Sequence, residues 1–240
     1  MTYLDIHTHQ FRATAESIEV LNLMVTSRQE LDHWLNIIHQ AQAHQYFSAG
    51  LHPWDLTSDR VEKDFAVLSE VLLHPKVLML GECGLDRNTR VDWHLQMQSF
   101  EKQAHLASQL AKPLIIHCVR SFPEIVRFKQ QIKPTVPWLI HGFNNNAQIL
   151  HQLLNNQFYV SLGSALLKND SNASKGISTI PIEQLFLETD DKNCTISSIF
   201  VAASKLLDVS VEYLQEKIYS NFNQIVLGHG QKSDDSKRES

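Results

Sequence analysis

The sequence predicts a single-domain α/β fold, the (β/α)₈ or TIM-type barrel, on three observations. The chain has 240 residues, close to the roughly 250 that this barrel uses as one unit. Eight short apolar segments alternate with longer segments of helical periodicity, as expected for a parallel sheet covered by helices. Hydrophobic residues make up 43% and charged residues 20% of the chain, which is an ordinary globular composition. An open doubly wound sheet has the same alternation and is the alternative.

The eight candidate strands are mostly continuous apolar runs, as expected for parallel strands that are buried on both faces. In chain order they are Tyr3 to Thr8, Ile18 to Val25, Tyr46 to Leu51, Val77 to Glu82, Leu114 to Val119, Val136 to His141, Phe158 to Leu162 and Leu185 to Asp190. Pro113 and Pro137 stand at the entries to the fifth and sixth strands, where a missing N–H is tolerated.

Between the strands, apolar side chains recur at the three- and four-residue steps of one helix face. The longest such stripe is Trp93, Met97, Phe100, Ala104, Ala107 and Ala111, and the last is Val211, Leu214, Ile218, Phe222 and Ile225. Ser27 and Glu30 have the spacing of a capping box, which predicts that a helix through Trp34 begins there. Residues 1–230 are expected to form the barrel, and the polar residues 231–240 a disordered tail.

Composition excludes several classes of protein. The formal charge is −5, with 21 basic and 26 acidic residues, which argues against duplex DNA binding through a broad basic face. No apolar run approaches the 18 or so residues of a membrane span, and the first residues lack the features of a secretory signal. The three cysteines, Cys83, Cys118 and Cys194, are far apart and favour a reduced, cytoplasmic protein. We expect a monomer with no membrane partner.

The chain has 13 histidines, and their positions are informative. Four histidines and two carboxylates fall at the predicted carboxyl ends of five strands, where a barrel gathers functional side chains. They are His7, His9, Glu82, His117, His141 and Asp190. Most of the others fall in the predicted helical segments. A lone strand histidine is usually a core residue, but imidazoles and carboxylates in this arrangement are the ligands of a metal site.

Strand alternation adds one expectation about the same face of the barrel. Asp5 shares the direction of His7, and Glu188 that of Asp190, because alternate residues of a strand face the same way. Both acids are therefore expected to point inward below the metal site, and at least one to accept a hydrogen bond from a ligand histidine.

These residues occur in linked motifs that resemble those of the TatD-type metal-dependent hydrolases, from Tyr3 to about Leu227. The motifs are His-x-His at His7 and His9, Gly-Leu-His-Pro at Gly50 to Pro53, Gly-Glu-x-Gly-Leu-Asp at Gly81 to Asp86, Ile-His at Ile116 and His117, a further His141, and Leu-Glu-Thr-Asp at Leu187 to Asp190. The resemblance implies a barrel of the amidohydrolase superfamily with a two-metal site and DNase activity on phosphodiesters.

The resemblance also implies how the ligands are shared between the two ions. His7, His9 and Asp190 would bind the first, His117 and His141 the second, and Glu82 would bridge them. Zinc and manganese suit imidazole-rich ligation, and the resemblance allows magnesium too. Two such ions and two carboxylates leave the site at about +2, which favours an anionic phosphate.

The expected activity is cleavage of phosphodiesters from an end of single-stranded DNA by a metal-bound hydroxide. Metal binding lowers the pKa of water toward about 7, and Asp190 is the expected catalytic base. His52 and Arg120 are candidate contacts to the substrate phosphate; alternatively, His52 is a polar turn residue and Arg120 a solvated loop residue. A hydrolase of small esters, lactones or phosphoesters on the same scaffold is the alternative function. A non-enzymatic binding barrel would lack a ligand, and none of the six is missing.

The chain departs from the TatD pattern after the last predicted strand. The usual proline-rich loop with an Arg-Gly-Lys element is replaced by Asp191-Lys192-Asn193-Cys194-Thr195, and Arg87 and Asn88 replace the aromatic residues usual after Gly-Leu-Asp. One wall of the cleft is therefore expected to be low and weakly basic.

Overall fold

The computed structural model describes residues 2–11 and 17–227 of the chain. The predicted tail, 231–240, lies outside this range. Eight parallel strands form one sheet whose spatial order follows the sequence. They are β1 Tyr3–Thr8, β2 Ser17–Met24, β3 Gln45–Gly50, β4 Val77–Asp86, β5 Leu114–Val119, β6 Trp138–Ile140, β7 Tyr159–Leu162 and β8 Leu185–Leu187.

The sheet closes on itself at the carboxyl ends of its first and last strands. Thr8 forms a parallel bridge with Asp190. The Asp190 N–H donates to the carbonyl of His7 at 3.0 Å, and the His9 N–H donates to the carbonyl of Asp190 at 3.3 Å. The predicted barrel is therefore confirmed, and the open-sheet alternative is wrong.

The helices follow the strands in turn. They are α1 Leu31–His39, α2 Val61–Val71, α3 Trp93–Gln109, α4 Phe122–Ile132, α5 Ala147–Asn155, α6 Asn172–Gly176, α7 Ile196–Leu207 and α8 Val211–Phe222. Short 3₁₀ segments cover Ser164–Leu167, Ile177–Thr179 and Ile182–Gln184, and a π-helical turn, Asn223–Leu227, extends α8. None of the helices in the described part of the chain is long and apolar enough to cross a membrane.

The start of α1 corrects one prediction. The helix begins at Leu31, and the side chain of Glu30 makes no capping hydrogen bond. The Ser27 N–H donates instead to the buried carboxylate of Asp64 on α2, at 2.6 Å. The capping box is wrong because this long-range bond fixes Ser27 ahead of the helix. Side-chain caps occur at other helices: Asp92 accepts from Leu95 N at 2.9 Å and Ser210 from Tyr213 N at 3.1 Å.

Strand β4 is longer than predicted because residues 83–86 pair with residues 116–119 of β5. At the amino end of the barrel, the Asn221 side chain on α8 donates to the Leu185 carbonyl at 3.1 Å. On the outer face, the Trp138 ring packs edge-to-face on Phe100 of α3, with centroids 5.5 Å apart. Helices thus cover the outer wall of the barrel and its amino end. The predicted site residues lie at the carboxyl end.

Candidate metal centre

Glu82 lies at the middle of the polar cluster at the carboxyl ends of the strands. Its Oε2 atom is 3.4 Å from Nε2 of both His7 and His9. Its Oε1 atom is 2.7 Å from Nδ1 of His117 and 2.7 Å from Nε2 of His141. The two carboxylate oxygens therefore face two different pairs of imidazoles.

Asp190 lies beside the first pair. Its Oδ1 atom is 3.7 Å from His7 Nε2 and 3.5 Å from His9 Nε2. The backbone of Asp190 is left-handed, with φ 54°, a conformation that aspartate tolerates better than most residues. Its side chain is 26% exposed. The structure thus brings together all six residues that the sequence singled out as metal ligands.

The close pairing of β4 with β5 brings Glu82 and His117 side by side. Gly84 pairs with His117, and its φ of +156° is one that L side chains rarely adopt. A Cβ atom at Gly84 would overlap the backbone carbonyl of His117. Only glycine therefore allows the two strands to approach here.

Two buried polar residues, Asn22 and Ser48, form the hydrogen bonds that position Glu82. Neither was predicted from the sequence. The Glu82 N–H donates to Asn22 Oδ1 at 2.7 Å, and Asn22 Nδ2 donates to Glu82 Oε2 at 3.5 Å. The Ser48 hydroxyl donates to Asn22 Oδ1 at 3.2 Å. Both residues interrupt apolar strands, which is the signal that could have found them, because buried polar groups need partners.

His52 is part of the cluster and also begins a turn: its Nδ1 atom accepts from the Trp54 N–H at 3.3 Å, and its carbonyl accepts from the Asp55 N–H at 3.1 Å. It is 3% exposed, and its Nε2 atom is 3.2 Å from Glu82 Oε1. Asp86 adds a second carboxylate, with Oδ2 3.1 Å from His117 Nε2. The Trp54 indole donates to the same Oδ2 atom at 2.6 Å. Asp86 ends the Gly-Glu-x-Gly-Leu-Asp motif, from which no role was predicted for it.

Glu188 and Asp5 were both predicted to point inward below the site, and the structure agrees for Glu188 only. Glu188 is fully buried, with Oε1 3.4 Å from His141 Nδ1, which agrees with its predicted inward direction. Asp5 instead accepts from Thr189, at 3.0 Å from the N–H and 2.6 Å from the hydroxyl. The shared direction of Asp5 and His7 fails because the β1–β2 pairing shifts register between Asp5 and Thr8.

The electrostatics of the cluster depend on Glu82 and His141. Burial would raise the pKa of Glu82, but the charge of His141 and hydrogen bonds from His117, His141 and His52 hold that pKa well below its ordinary value. Burial would lower the pKa of His141, but Glu82 and Glu188 hold it well above its ordinary value. Burial and the Glu188 charge raise the pKa of Asp190. The site therefore concentrates negative charge on Glu82.

The side chains fit divalent cations. Three groups offer ligand atoms within 4.8 Å of one another: His7 with His9 and Glu82; His7 with His141 and Asp190; His52 with Glu82 and His117. Within the described residues, both ring nitrogens of His7 and Nδ1 of His141 are buried without a hydrogen-bond partner. Such orphaned nitrogens are costly. Metal coordination would satisfy one on His7, whereas Nδ1 of His141 faces Glu188 and its Nε2 atom faces Glu82. His141 lies near His7 in one of these groups, and its Nε2 atom is also 3.5 Å from Nδ1 of His117.

Arg120, the second candidate phosphate contact, lies just beyond β5. It is exposed, with a left-handed backbone of φ 53°. A cavity of about 260 Å³ is lined in part by Asp190. Its lining includes Asn144, Gly163, Lys168, Glu188 and Lys192. Lys192 pairs with its neighbour Asp191 at 2.5 Å.

A closed parallel barrel with imidazoles and carboxylates gathered at its carboxyl end defines a metal-dependent barrel hydrolase. A family model described as TatD related DNase matches residues 5–226. The chain therefore belongs to the TatD-related DNase family and is a hydrolase that acts on phosphodiester bonds.

Relatives and solved structures agree with this membership. The chain is 29% identical over 182 residues to the metal-dependent hydrolase YabD of Bacillus subtilis, covering 75% of this chain and 71% of that one. It is 29% identical over 183 residues to the 3'-5' ssDNA/RNA exonuclease TatD of Edwardsiella piscicida, covering 71% and 68%. The crystal structure of the Escherichia coli TatD homologue YjjV has the same fold, with a TM-score of 0.81 at 19% identity over 93% and 97% of the two chains.

Proposed function

We propose that this protein is a metal-dependent exonuclease that removes nucleotides from an end of single-stranded DNA or RNA. The observation that carries the proposal is the central position of Glu82, whose two oxygens face separate pairs of imidazoles at 2.7 and 3.4 Å. A carboxylate in this position could provide one oxygen to each of two ions. The relatives named 3'-5' exonucleases support attack from the 3' end.

In this proposal His7, His9 and Asp190 would hold one ion, His117 and His141 would hold the other, and Glu82 would serve both. The 3.2 Å contact of His52 with Glu82 puts His52 beside the second ion, where it would reach a phosphate bound there. The predominance of imidazole favours zinc or manganese, and magnesium is the remaining candidate.

Divalent ions at this site would lower the pKa of a water and offset negative charge on phosphorus. Asp190 would accept the proton of the attacking water, because its carboxylate is partly exposed beside His7 and His9. Glu82, which is 3% exposed, is too enclosed for that task and serves in holding the centre. Arg120 and His52 would contact the substrate phosphate, and the exposure of Arg120 leaves its guanidinium available.

A small phosphoester or ester is the second candidate substrate. The cavity of about 260 Å³ beside Asp190 favours it, because a compact substrate would fit there. We also propose a cytoplasmic protein, which its three free cysteines support.

The test is metal analysis of the purified protein, followed by digestion of end-labelled single-stranded DNA, RNA and duplex DNA with zinc, manganese or magnesium. We expect close to two ions per chain and mononucleotides from the 3' end of single strands. Glu82→Gln keeps the shape of the side chain but removes its charge, so we expect less bound metal. Glu62→Gln, at an exposed position of α2, is the matched control. Full metal content in Glu82→Gln, or hydrolysis of small esters alone, would contradict the proposal.

A further inference from the structure

Trp54 is an exposed aromatic side chain at the edge of the metal centre. It is 60% exposed. Phe122 and Phe143, which also follow strands, are 6% and 2% exposed, and their rings pack on each other. Exposed indole surface next to a catalytic centre is available for a ligand to cover.

The indole is held by one edge. Its N–H donates to Asp86 Oδ2 at 2.6 Å. Its ring stands at 84° to that of His52 and at 78° to that of His117, with centroids 4.8 and 5.7 Å away. These contacts fix the orientation of Trp54 while most of its surface remains exposed, so stacking on it would cost little ordering.

A cavity of about 210 Å³ adjoins the indole and is lined by Trp54, Asp86, Asn88 and Thr89. The Asp86 carboxylate would repel a phosphate in this cavity, but it would not repel an uncharged group. Asn88 is exposed, and its carboxamide carries both donors and an acceptor, which match the edge of a nucleobase.

We infer that Trp54 is the stacking platform for the nucleobase next to the scissile phosphodiester, so that the chain selects substrates that carry a base. The inference rests on the proposed nuclease function and narrows its substrate class. Only one sugar separates a base from its phosphate, so a base on Trp54 would leave that phosphate near the imidazoles. Stacking accepts any base, which suits an enzyme that degrades strands of any sequence.

The kinetic test compares single-stranded oligonucleotides that carry either a base or an abasic residue at the cleaved end. Loss of a stacked base corresponds to a factor of about 5–150. We expect Trp54→Ala to raise KM by that factor with little change in kcat, and Trp54→Phe to keep most of the affinity. The abasic end should raise KM of the wild type and cause no further rise in Trp54→Ala. Tyr219→Ala, at a 44% exposed aromatic on α8, is the matched control.

A binding test separates this inference from the proposed function. Trp34 and Trp138 are buried, and Trp93 is half-buried with the Arg87 guanidinium over its ring. A base stacking on Trp54 should therefore quench indole fluorescence, and Trp54→Phe should abolish that quenching. If no ion supports nucleic-acid cleavage, the proposed function is wrong, and quenching by base-bearing but not abasic strands still supports the Trp54 site. Equal KM values for base-bearing and abasic ends, or quenching that Trp54→Phe retains, would overturn the inference while the nuclease function stands.

Discussion

Asp190 and Asp191 are adjacent carboxylates with different surroundings. Asp190 faces His7 and His9 at 3.7 and 3.5 Å, whereas Asp191 is 62% exposed and pairs with Lys192. Asp190→Asn should reduce the rate of DNA cleavage by at least about a hundredfold, because it removes the expected base. Asp191→Asn, which makes the same chemical change one residue away, should leave the rate nearly unchanged. The measurement is the steady-state rate of single-stranded DNA cleavage by both variants. Wild-type activity in Asp190→Asn would refute the role of Asp190 as the base.

At the scale of single elements, the contact between β4 and β5 makes Gly84 indispensable. Gly84→Ala would force a Cβ atom into the His117 carbonyl at an unfavourable φ, so we expect unfolding free energy to fall by about 2–4 kcal/mol. Gly176→Ala is the control, because the added Cβ there meets only the end of the flexible Leu150 side chain, at 3.0 Å. Denaturant titration of both variants tests this prediction. Equal losses in the two would show that the β4–β5 approach does not depend on Gly84.

The elements also show what the sequence could predict. Apolar runs located all eight strands, and strand ends located the six convergent residues, because buried parallel strands and their carboxyl ends have strong local signatures. The failures arose from non-local contacts. Asp64 binds Ser27 and displaces the predicted cap, and the register shift in β1 turns Asp5 toward Thr189. Neither contact can be predicted from the spacing of residues that are near in sequence.

For the whole molecule, the distribution of charge sets how the chain should bind nucleic acid. The net charge is −5, and two cations near the site are already engaged. Arg87 pairs with Glu124 at 2.7 Å and lies 4.0 Å from the Trp93 ring centroid. Lys192 pairs with Asp191. Attraction for phosphate is therefore concentrated at the metal centre and at a few exposed side chains.

Weak dependence of DNA binding on salt should follow from this distribution. If Arg120 and Lys168, both exposed, each contact one phosphate, the logarithm of the binding constant should fall with the logarithm of salt concentration at a slope of about −1.4 for single strands. Duplex DNA should bind less well, because the net charge of −5 repels its two phosphate backbones. Fluorescence anisotropy of labelled oligonucleotides between 50 and 200 mM salt measures the slope. Arg120→Gln should make it shallower by about 0.7, and Arg127→Gln, on α4, should leave it unchanged. A slope steeper than about −4, or tight duplex binding, would mean that other loops supply a basic wall.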